Sequence, residues 1–321
     1  MAWWIKVRLD TPYRGFEGQE VFVDLPAGAG VAGIAERLAD AGVVPDVWTF
    51  RLAAHLAGVD RRLEAGEYRF ATAATPREVA ARLARGDVFT KPITFPEGQT
   101  IAEMAGVFGR SGLGTSAEFE TAARDTSLVA EFDPDAQTLE GYLFPSTYAL
   151  PRRTGAAGTV QAMVTEFMRT FDAHLRDEAT AEGMTPREVV TLASIIEKET
   201  ARPEERPLVS AVYRNRLKLG MLLQCDPTVI YALMLAGRWD GNIRKPDLQI
   251  DSPYNTYRYA GLPPGPIASP GRPSLEAALH PADVKYLYFV SRNDGTHVFA
   301  ETLEEHNRNV AKYQIGRGRH Y

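Results

Sequence analysis

Two glutamates close an otherwise apolar helical segment, and acids in such a place can perform acid–base chemistry. Residues 191–200 read TLASIIEKET, so Glu197 and Glu199 follow a run of mostly apolar residues. The helix dipole disfavours a carboxylate at the carboxyl end of a helix, and apolar neighbours shield it from water. Both effects favour the protonated carboxyl group, which is the form that a general acid needs at neutral pH.

The neighbours of the two glutamates differ in size. Placing successive residues about 100° apart puts Glu197 and Glu199 on opposite flanks of the apolar stripe, so periodicity alone does not choose between them. One turn before Glu197 lie the small residues Ala193 and Ser194, whereas two isoleucines precede Glu199. A carboxylate beside small residues can face a cleft, which makes Glu197 the candidate acid/base, and Glu199 is expected to pack at the edge of the core. The alternative is that these are ordinary acids at a helix end and that Glu199 only pairs with Arg202 or Arg206.

Polar residues also stand directly before a second helix. Residues 223–231 read LQCDPTVIY, with Gln224 and Asp226 preceding a helix that Pro227 opens. Asp226 could serve only as the cap of this helix, whereas Gln224 has no such local role. Both are therefore candidate site residues, and the capping role of Asp226 stays open.

The loop over residues 251–267 has an unusual composition. It reads DSPYNTYRYAGLPPGPI and combines three tyrosines and an asparagine with several prolines. Sugars present hydroxyl groups and flat C–H faces, which tyrosine and asparagine side chains can contact. The loop is therefore a candidate sugar-binding surface, and the alternative is a rigid loop whose tyrosines only pack against the domain.

Composition and motif content exclude several functional classes. The 321 residues carry a net charge of −5 without a Lys/Arg cluster, so nucleic acid is not an expected partner. No HExxH or CxxC pattern, phosphate loop or GxSxG elbow is present, and His280, His297 and His306 stand at poor ligand spacings. We expect no metal and no cofactor. The single cysteine, Cys225, excludes an internal disulfide.

An internal repeat indicates how the chain folds. The sequence VDLPAG at 23–28 precedes an amphipathic pattern and Gly42, and ITFPEG at 93–98 precedes a matching pattern and Gly112. Each copy predicts a strand, a Pro/Gly turn, an amphipathic helix and a glycine stop.

The predicted fold class is α+β, in two parts. Residues 19–91 are expected to form a small α+β module that includes a strand at Gly66–Phe70. Residues 92–321 are expected to form a mixed α+β domain, which opens with the second repeat at 92–114. Near its end, the pattern predicts a buried strand at 286–290, a return strand at His297–Ala300 and a last helix at about 303–313.

The first residues of the chain have a mixed character. The sequence MAWWIKVR places two tryptophans before Lys6 and Arg8, as at the interfacial edge of a transmembrane helix. An ordinary hydrophobic tail is the alternative. No segment reaches the length of a membrane span, and no signal-peptide pattern is present. Residues 1–18 are treated as a membrane-proximal segment.

Six motifs, in one order over about residues 20–315, together resemble a known family, the endolytic murein transglycosylases (MltG/YceG-like family). They are EGYLFPSTY (140–148), EKET (197–200), LQCDPTVIY (223–231), SPYNTYRYAGLPPGPIASPG (252–271), LYFV (287–290) and EHN (305–307).

The resemblance implies a LysM-like module followed by a catalytic domain that cleaves nascent peptidoglycan. It implies that Glu197, the first glutamate of EKET, is the catalytic acid/base. It also implies substrate-binding roles for further motif residues, namely Gln224, Asp226, Tyr254, Asn255, Thr256, Glu140 and Tyr142.

The resemblance also implies a place in the cell. The family is held in the bacterial inner membrane by one N-terminal helix, with its catalytic domain in the periplasm and cell-wall synthases as partners. No such helix precedes Trp3 in this sequence. We expect the gene to encode about 20 apolar residues upstream, the length of one membrane span.

The number of acids predicts the type of reaction. Glu199 lies about 200° around the helix from Glu197, so the two cannot converge on one glycosidic bond as the carboxylate pair of a hydrolase does. With one acid, the acetamido group and primary hydroxyl of N-acetylmuramic acid supply the nucleophiles. The predicted products carry 1,6-anhydro-muramyl ends. The alternatives are a non-catalytic peptidoglycan-binding scaffold and a muramidase-type hydrolase.

Overall fold

The structure, a computed structural model, describes residues 2–315 and has the α+β class that the sequence predicts. Helices predominate in this part of the chain, and its strands form three two-stranded sheets. The chain divides into two compact units. The first comprises the described residues up to Pro92 together with Tyr148–Thr154, and the second comprises Ile93–Thr147 and the residues from Gly155 onward.

The first unit packs helices against a two-stranded sheet. Its elements are α1 (Ala2–Asp10), β1 (Val21–Leu25), α2 (Val31–Asp40), α3 (Val47–Leu56), β2 (Gly66–Phe70) and α4 (Pro76–Ala84). The strands are antiparallel, with Val23 opposite Tyr68. Alternate strand residues point to one face, so Val23, Leu25, Tyr68 and Phe70 enter the core.

Helix α1 is packed into the first unit through its carboxyl-terminal end. Leu9 is buried, Arg8 pairs with Asp46, and Arg77 lies 2.9 Å from Asp10. Of the helices that the structure describes, none is both long and apolar enough to span a membrane.

The second unit contains most of the helices. Its elements are α5 (Ile101–Ser111), α6 (Ser116–Ala122), α7 (Gly155–Thr170), α8 (Ala173–Ala181), α9 (Pro186–Glu199), α10 (Arg206–Lys218), α11 (Asp226–Leu235), α12 (Arg272–Leu279), β5 (Tyr288–Ser291), β6 (His297–Ala300) and α13 (Leu303–Val310). Strands β3 (Thr90–Thr94) and β4 (Thr147–Pro151) pair with each other.

Helix α9 is the element around which the site is built. It begins at the expected capping box, in which Thr185 and Glu188 bond reciprocally, with Pro186 in the first turn. Its residues from Val189 to Ile196 are all buried, and α8, α10, α11 and α12 pack around it. This surround fixes the direction of the side chains at its carboxyl end.

Elements of the repeat and of the terminal hairpin are present with small differences. Gly42 and Gly112 follow α2 and α5 with positive φ, the conformation that a glycine stop requires. Strand β5 begins two residues later than expected and is only half-buried. The last helix ends at Val310, and a π-helical turn over Ala311–Ile315 follows it.

Candidate active site

The structure reverses the expected placement of the two glutamates on α9. The Glu197 side chain is only 7% exposed. Its Oε2 accepts hydrogen bonds from the Gly271 backbone N–H at 3.0 Å and the Ser274 hydroxyl at 2.7 Å, and its Oε1 lies 3.4 Å from Arg206. Oε2 is thus engaged at the start of α12, and Oε1 faces Arg206 at the start of α10. These contacts with the protein differ from the open flank expected for Glu197, whose catalytic role stays a prediction.

The reason lies in the small residues that suggested a cleft. Ala193 and Ser194 do leave space beside α9, but the protein itself fills that space. The Ser194 hydroxyl accepts a hydrogen bond from the Ile267 N–H at 3.0 Å, and α12 packs closely against α9. Small helix residues admit a neighbouring segment of chain as readily as they admit a substrate.

Glu199 lines a cavity of about 360 Å³. Its Oε1 accepts hydrogen bonds from the Tyr213 hydroxyl at 2.6 Å and from the Cys225 thiol at 3.1 Å. Among the described residues, Oε2 has no protein partner. Burial raises the pKa of the Glu199 carboxyl, while the two hydrogen bonds favour its ionised form. The Glu199 carboxyl group therefore keeps its proton to a higher pH than an ordinary glutamate does, and its free oxygen, Oε2, is available at the cavity.

The cavity is lined by side chains from α9, α10, the start of α11, the proline-rich loop (residues 251–267) and the terminal hairpin, which is formed by β5 and β6. Its lining consists of Glu199, Tyr213, Arg216, Leu223, Gln224, Asp226, Tyr257, Phe289, Val290, Ser291, His297 and His306. Of these residues, only Gln224 and Asp226 were predicted from the sequence as site residues. The signal for several of the others was present in the motifs LYFV and EHN, but spacing along the chain did not connect them with Glu199.

Gln224 and Asp226 reach the cavity through unusual local geometry. Gln224 has φ of +52°, a left-handed conformation that is costly for a residue with a side chain. A hydrogen bond from its N–H to the Thr256 carbonyl at 3.1 Å holds it there. Asp226 is the first residue of α11, while Cys225 occupies the cap position, so Asp226 is not the N-cap. Its Oδ1 instead accepts a 2.6 Å hydrogen bond from Tyr257.

Two predicted substrate-binding residues of the loop over residues 251–267 are buried and hydrogen-bonded within the protein. Asn255 is fully buried and donates to the carbonyls of Leu248 and Ile250. Thr256 is also buried, and its hydroxyl accepts a hydrogen bond from the Cys225 N–H at 3.0 Å. Their short polar side chains hold the loop against the start of α11. The residue of this loop that lines the cavity is Tyr257.

Tyr142 belongs to the core. It is 1% exposed, donates a hydrogen bond to Asp133 and packs against the rings of Phe132 and Phe167. Its hydroxyl is already used within the protein. The prediction that it binds substrate therefore has no support in its surroundings.

Glu140 and Tyr254 lie away from Glu199, beside other cavities of the second unit. Glu140 lines a cavity of about 660 Å³ and a neighbouring one of about 300 Å³, and Tyr254 lines the smaller of the two. Glu140 is buried and accepts hydrogen bonds from the Ile101 N–H and the Tyr231 hydroxyl, and Tyr254 packs on Tyr231. The predicted site residues thus separate into two groups.

Glu140 should give the fold a pH dependence. Burial, the largest cause, raises the pKa of Glu140 from 4.5 to about 8. Between these two values the folded state keeps a proton that the unfolded chain releases. The contribution of Glu140 to stability is therefore full below pH 4.5 and is lost as the pH rises through about 8. We expect Glu140→Gln, which stays neutral, to show a smaller fall in melting temperature across this range than the parent protein. Equal falls would contradict this account.

Comparison with known proteins agrees with the motif pattern. The family model described as the YceG-like family matches residues 23–312. The chain belongs to the YceG-like family. A solved structure of a yceG-like protein from Listeria monocytogenes aligns with a TM-score of 0.61 and 32% identity, covering 90% of this chain and 98% of that one.

Curated relatives of this YceG-like chain carry one name, endolytic murein transglycosylase. The Bacillus subtilis (strain 168) protein is 32% identical over 309 residues, which cover 91% of this chain and 84% of the relative. The Streptococcus pneumoniae serotype 2 protein is 30% identical over 330 aligned residues, which cover 91% of this chain and 58% of the relative.

The chemistry that this YceG-like site offers is acid–base chemistry. Glu199 supplies a carboxyl group with a raised pKa, and Asp226 supplies a second, more exposed carboxyl group. Residues 2–315 contain no group of three or more His, Cys, Asp or Glu side chains that could hold a metal ion. Hydroxyl, amide and imidazole groups complete a lining that suits a sugar.

Proposed function

We propose that this protein is an endolytic murein transglycosylase that cleaves glycan strands of nascent peptidoglycan at the bond between N-acetylmuramic acid and N-acetylglucosamine. The products would carry 1,6-anhydro-muramyl ends. The names of the curated relatives support the reaction family. The observation that carries the chemistry is the pairing of a raised pKa with a free oxygen at Glu199.

The surroundings of Glu199 suit both halves of this reaction. A general acid must hold its proton at neutral pH, which burial of Glu199 promotes. After it has given up the proton, the carboxylate must be stabilised long enough to act as a base. The Tyr213 hydroxyl and the Cys225 thiol, both donating to Oε1, provide that stabilisation. We propose Glu199, in place of Glu197, as the acid/base.

The proposed steps balance with this one carboxyl group. Glu199 donates its proton to the glycosidic oxygen as the bond from C1 of the muramyl residue breaks, and the acetamido oxygen of the same sugar forms a bond to C1. The primary hydroxyl then attacks C1, expels the acetamido oxygen and returns its proton to Glu199. No water enters, and the enzyme ends in its starting state.

Asp226 favours one alternative, a muramidase-type hydrolase. Asp226 lines the same cavity as Glu199, and most glycoside hydrolases use two carboxyl groups that flank the glycosidic bond. The hydrogen bond from Tyr257 fixes one of its oxygens. In the transglycosylase reaction, Asp226 would have a binding role. The masses of the products distinguish the two, because an anhydro end is lighter than a hydrolysed end by one water.

The direct test is digestion of purified glycan strands followed by mass spectrometry of the new ends. We expect internal cleavage and anhydro-muramyl ends. Hydrolysed ends would favour the muramidase, and intact strands that sediment with the protein would favour a non-catalytic scaffold.

We also propose that the protein works at the outer face of the bacterial inner membrane, where cell-wall synthases are the expected partners, and that the first unit helps to bind glycan. Exposed tryptophans of the first unit support a place near the bilayer interface, where this residue is enriched. Trp3 is 77% exposed, and Trp4 and Trp48 are half exposed with ring centroids 6.4 Å apart. Separation of membrane and soluble fractions of the native cells tests the placement.

A further inference from the structure

An arginine without a carboxylate partner lines the same cavity as Glu199. Arg216 lies in the last turn of α10 and is only 8% exposed. Its Nε donates to the Leu287 carbonyl at 2.7 Å, and its Nη1 donates to the carbonyls of Leu222 at 3.1 Å and Leu223 at 2.8 Å. Among the described residues, its Nη2 has no protein hydrogen-bond partner.

Two other arginines of the same helix, with side chains 8% and 11% exposed, do have carboxylate partners. Arg206 lies 3.4 Å from Glu197, and Arg214 lies 2.6 Å from Glu182. A buried charge is costly unless it is paired, and backbone carbonyls offer only partial charges. Arg216 therefore brings to the cavity a positive charge that no carboxylate of the described chain neutralises.

The charge of Arg216 acts inside the cavity. Burial lowers the pKa of its guanidinium, nearby tyrosine hydroxyls oppose this shift, and an arginine side chain stays protonated in proteins. Glu199 and Asp226 also line the cavity, but neither forms an ion pair with Arg216 in the part of the chain that the structure describes. Burial and, after it, the charge of Arg216 lower the pKa of His306, another lining residue. An anion that enters the cavity would therefore meet an unpaired guanidinium.

We propose that Nη2 of Arg216 binds a carboxylate on the lactyl side chain of the muramyl sugar, which makes Arg216 a specificity residue for anionic strands. This inference rests on the proposed transglycosylase function. The lactyl group is attached at C3, two bonds around the ring from C1, so a sugar that presents C1 to Glu199 brings this group into the same cavity. A guanidinium and a carboxylate form strong, charge-assisted hydrogen bonds.

Two forms of the strand can supply this carboxylate. In a peptide-free strand the lactyl group ends in its own carboxylate. In a peptide-bearing strand that carboxyl group has become an amide, and the stem peptide supplies carboxylates instead. In both forms the ligand of Arg216 is an anion on the muramyl side chain, and matched substrates distinguish the two sources.

Four strands of equal length test the proposal with the parent protein. They are peptide-free strands, peptide-bearing strands, and both of these after their carboxyl groups have been converted to neutral amides. We expect at least one anionic strand to be cleaved with a kcat/KM about tenfold or more above that of its own amide. The strand that shows the preference identifies the source of the carboxylate. Equal values within both pairs would overturn the proposal.

Two substitutions on α10 test whether the preference belongs to Arg216. Arg216→Gln removes the charge and keeps an amide donor for a backbone carbonyl. The control, Arg214→Gln, removes a guanidinium of similar burial that pairs with Glu182 and does not line the cavity. We expect the ratio of kcat/KM values, anion over amide, to fall to about one in Arg216→Gln and to keep its parent value in Arg214→Gln.

A merely structural arginine would give a different result. Loss of its contacts with the backbone carbonyls would lower the activity of Arg216→Gln on both strands of a pair and leave their ratio unchanged. A folded Arg216→Gln protein with the parent ratio would therefore overturn the proposal. Circular dichroism monitors the fold of both variants.

Nitrogen NMR of the arginine side chains provides a readout that needs neither turnover nor a change at Arg216. The Glu199→Gln variant, with side-chain signals assigned through their own backbone, is titrated with each anionic strand and its amide. We expect an anionic strand to shift the guanidinium signals of Arg216 and its amide to leave them in place. Signals that both strands move equally, or that neither moves at saturation, would overturn the proposal. If the parent protein cleaves no strand, the proposed function fails, and this titration still decides whether Arg216 binds the anion.

Discussion

The substitution Glu199→Gln should lower the rate of murein cleavage by about 10³-fold or more, within the range that general acid–base catalysis supplies. Glutamine keeps the size of the side chain and can still accept hydrogen bonds from Tyr213 and Cys225. It cannot deliver a proton to the glycosidic oxygen or recover one from the primary hydroxyl. The measurement is the initial rate at which new muramyl ends form from purified glycan strands.

The matched control is the same chemical change two residues earlier on the same helix. Because both oxygens of Glu197 are bonded within the protein, Glu197→Gln should keep most of its catalytic rate at temperatures where it is folded. A fast Glu199→Gln enzyme beside a folded but inactive Glu197→Gln enzyme would reverse the assignment.

The second large effect concerns stability. Glu197→Gln should lower the free energy of unfolding by about 3 kcal/mol, because loss of one member of a buried ion pair leaves the other charge unpaired. Arg206 is 8% exposed, and its next carboxylate, Glu97, lies at 4.0 Å. The start of α12 would also lose an anionic partner at its Gly271 N–H. Urea unfolding followed by circular dichroism measures the change.

Glu97→Gln is the control for this effect. The Glu97 side chain is 47% exposed and lies farther from Arg206 than Glu197 does, so its loss should cost well under half as much. If Glu197→Gln unfolded at the same urea concentration as the parent protein, the contacts around Arg206 would contribute nothing to the free energy of unfolding. Glu197 would then need another role.

The choice between the two glutamates shows what local sequence can decide. The capping box at Thr185 and the apolar run predicted α9 and placed both acids at its end, because these are properties of neighbouring residues. Which acid faces the cavity depends on where α12 packs, and α12 lies more than seventy residues further along the chain. Side-chain size next to Glu197 indicated free space but not its occupant.

The features that could not be predicted from the sequence depend on contacts between residues far apart in the chain. The strand–turn–helix repeats and their glycine stops follow from local patterns, whereas the return of Tyr148–Thr154 to the first unit depends on pairing between distant strands. The Glu205–His297 contact joins residues 92 positions apart, so spacing gave no reason to connect them. Asn255 looked like a sugar ligand because its residue type suits both sugar binding and loop bracing, and only the buried contacts distinguish the two roles.

The most direct test of the central claim is cleavage of glycan strands in water enriched with heavy oxygen. In the proposed reaction the nucleophiles are the acetamido oxygen and the primary hydroxyl of the substrate, and Glu199 only moves a proton. We therefore expect anhydro-muramyl ends without label. Heavy oxygen at C1 of the new muramyl ends, in proportion to its enrichment in the solvent, would show that water attacks and would contradict the account.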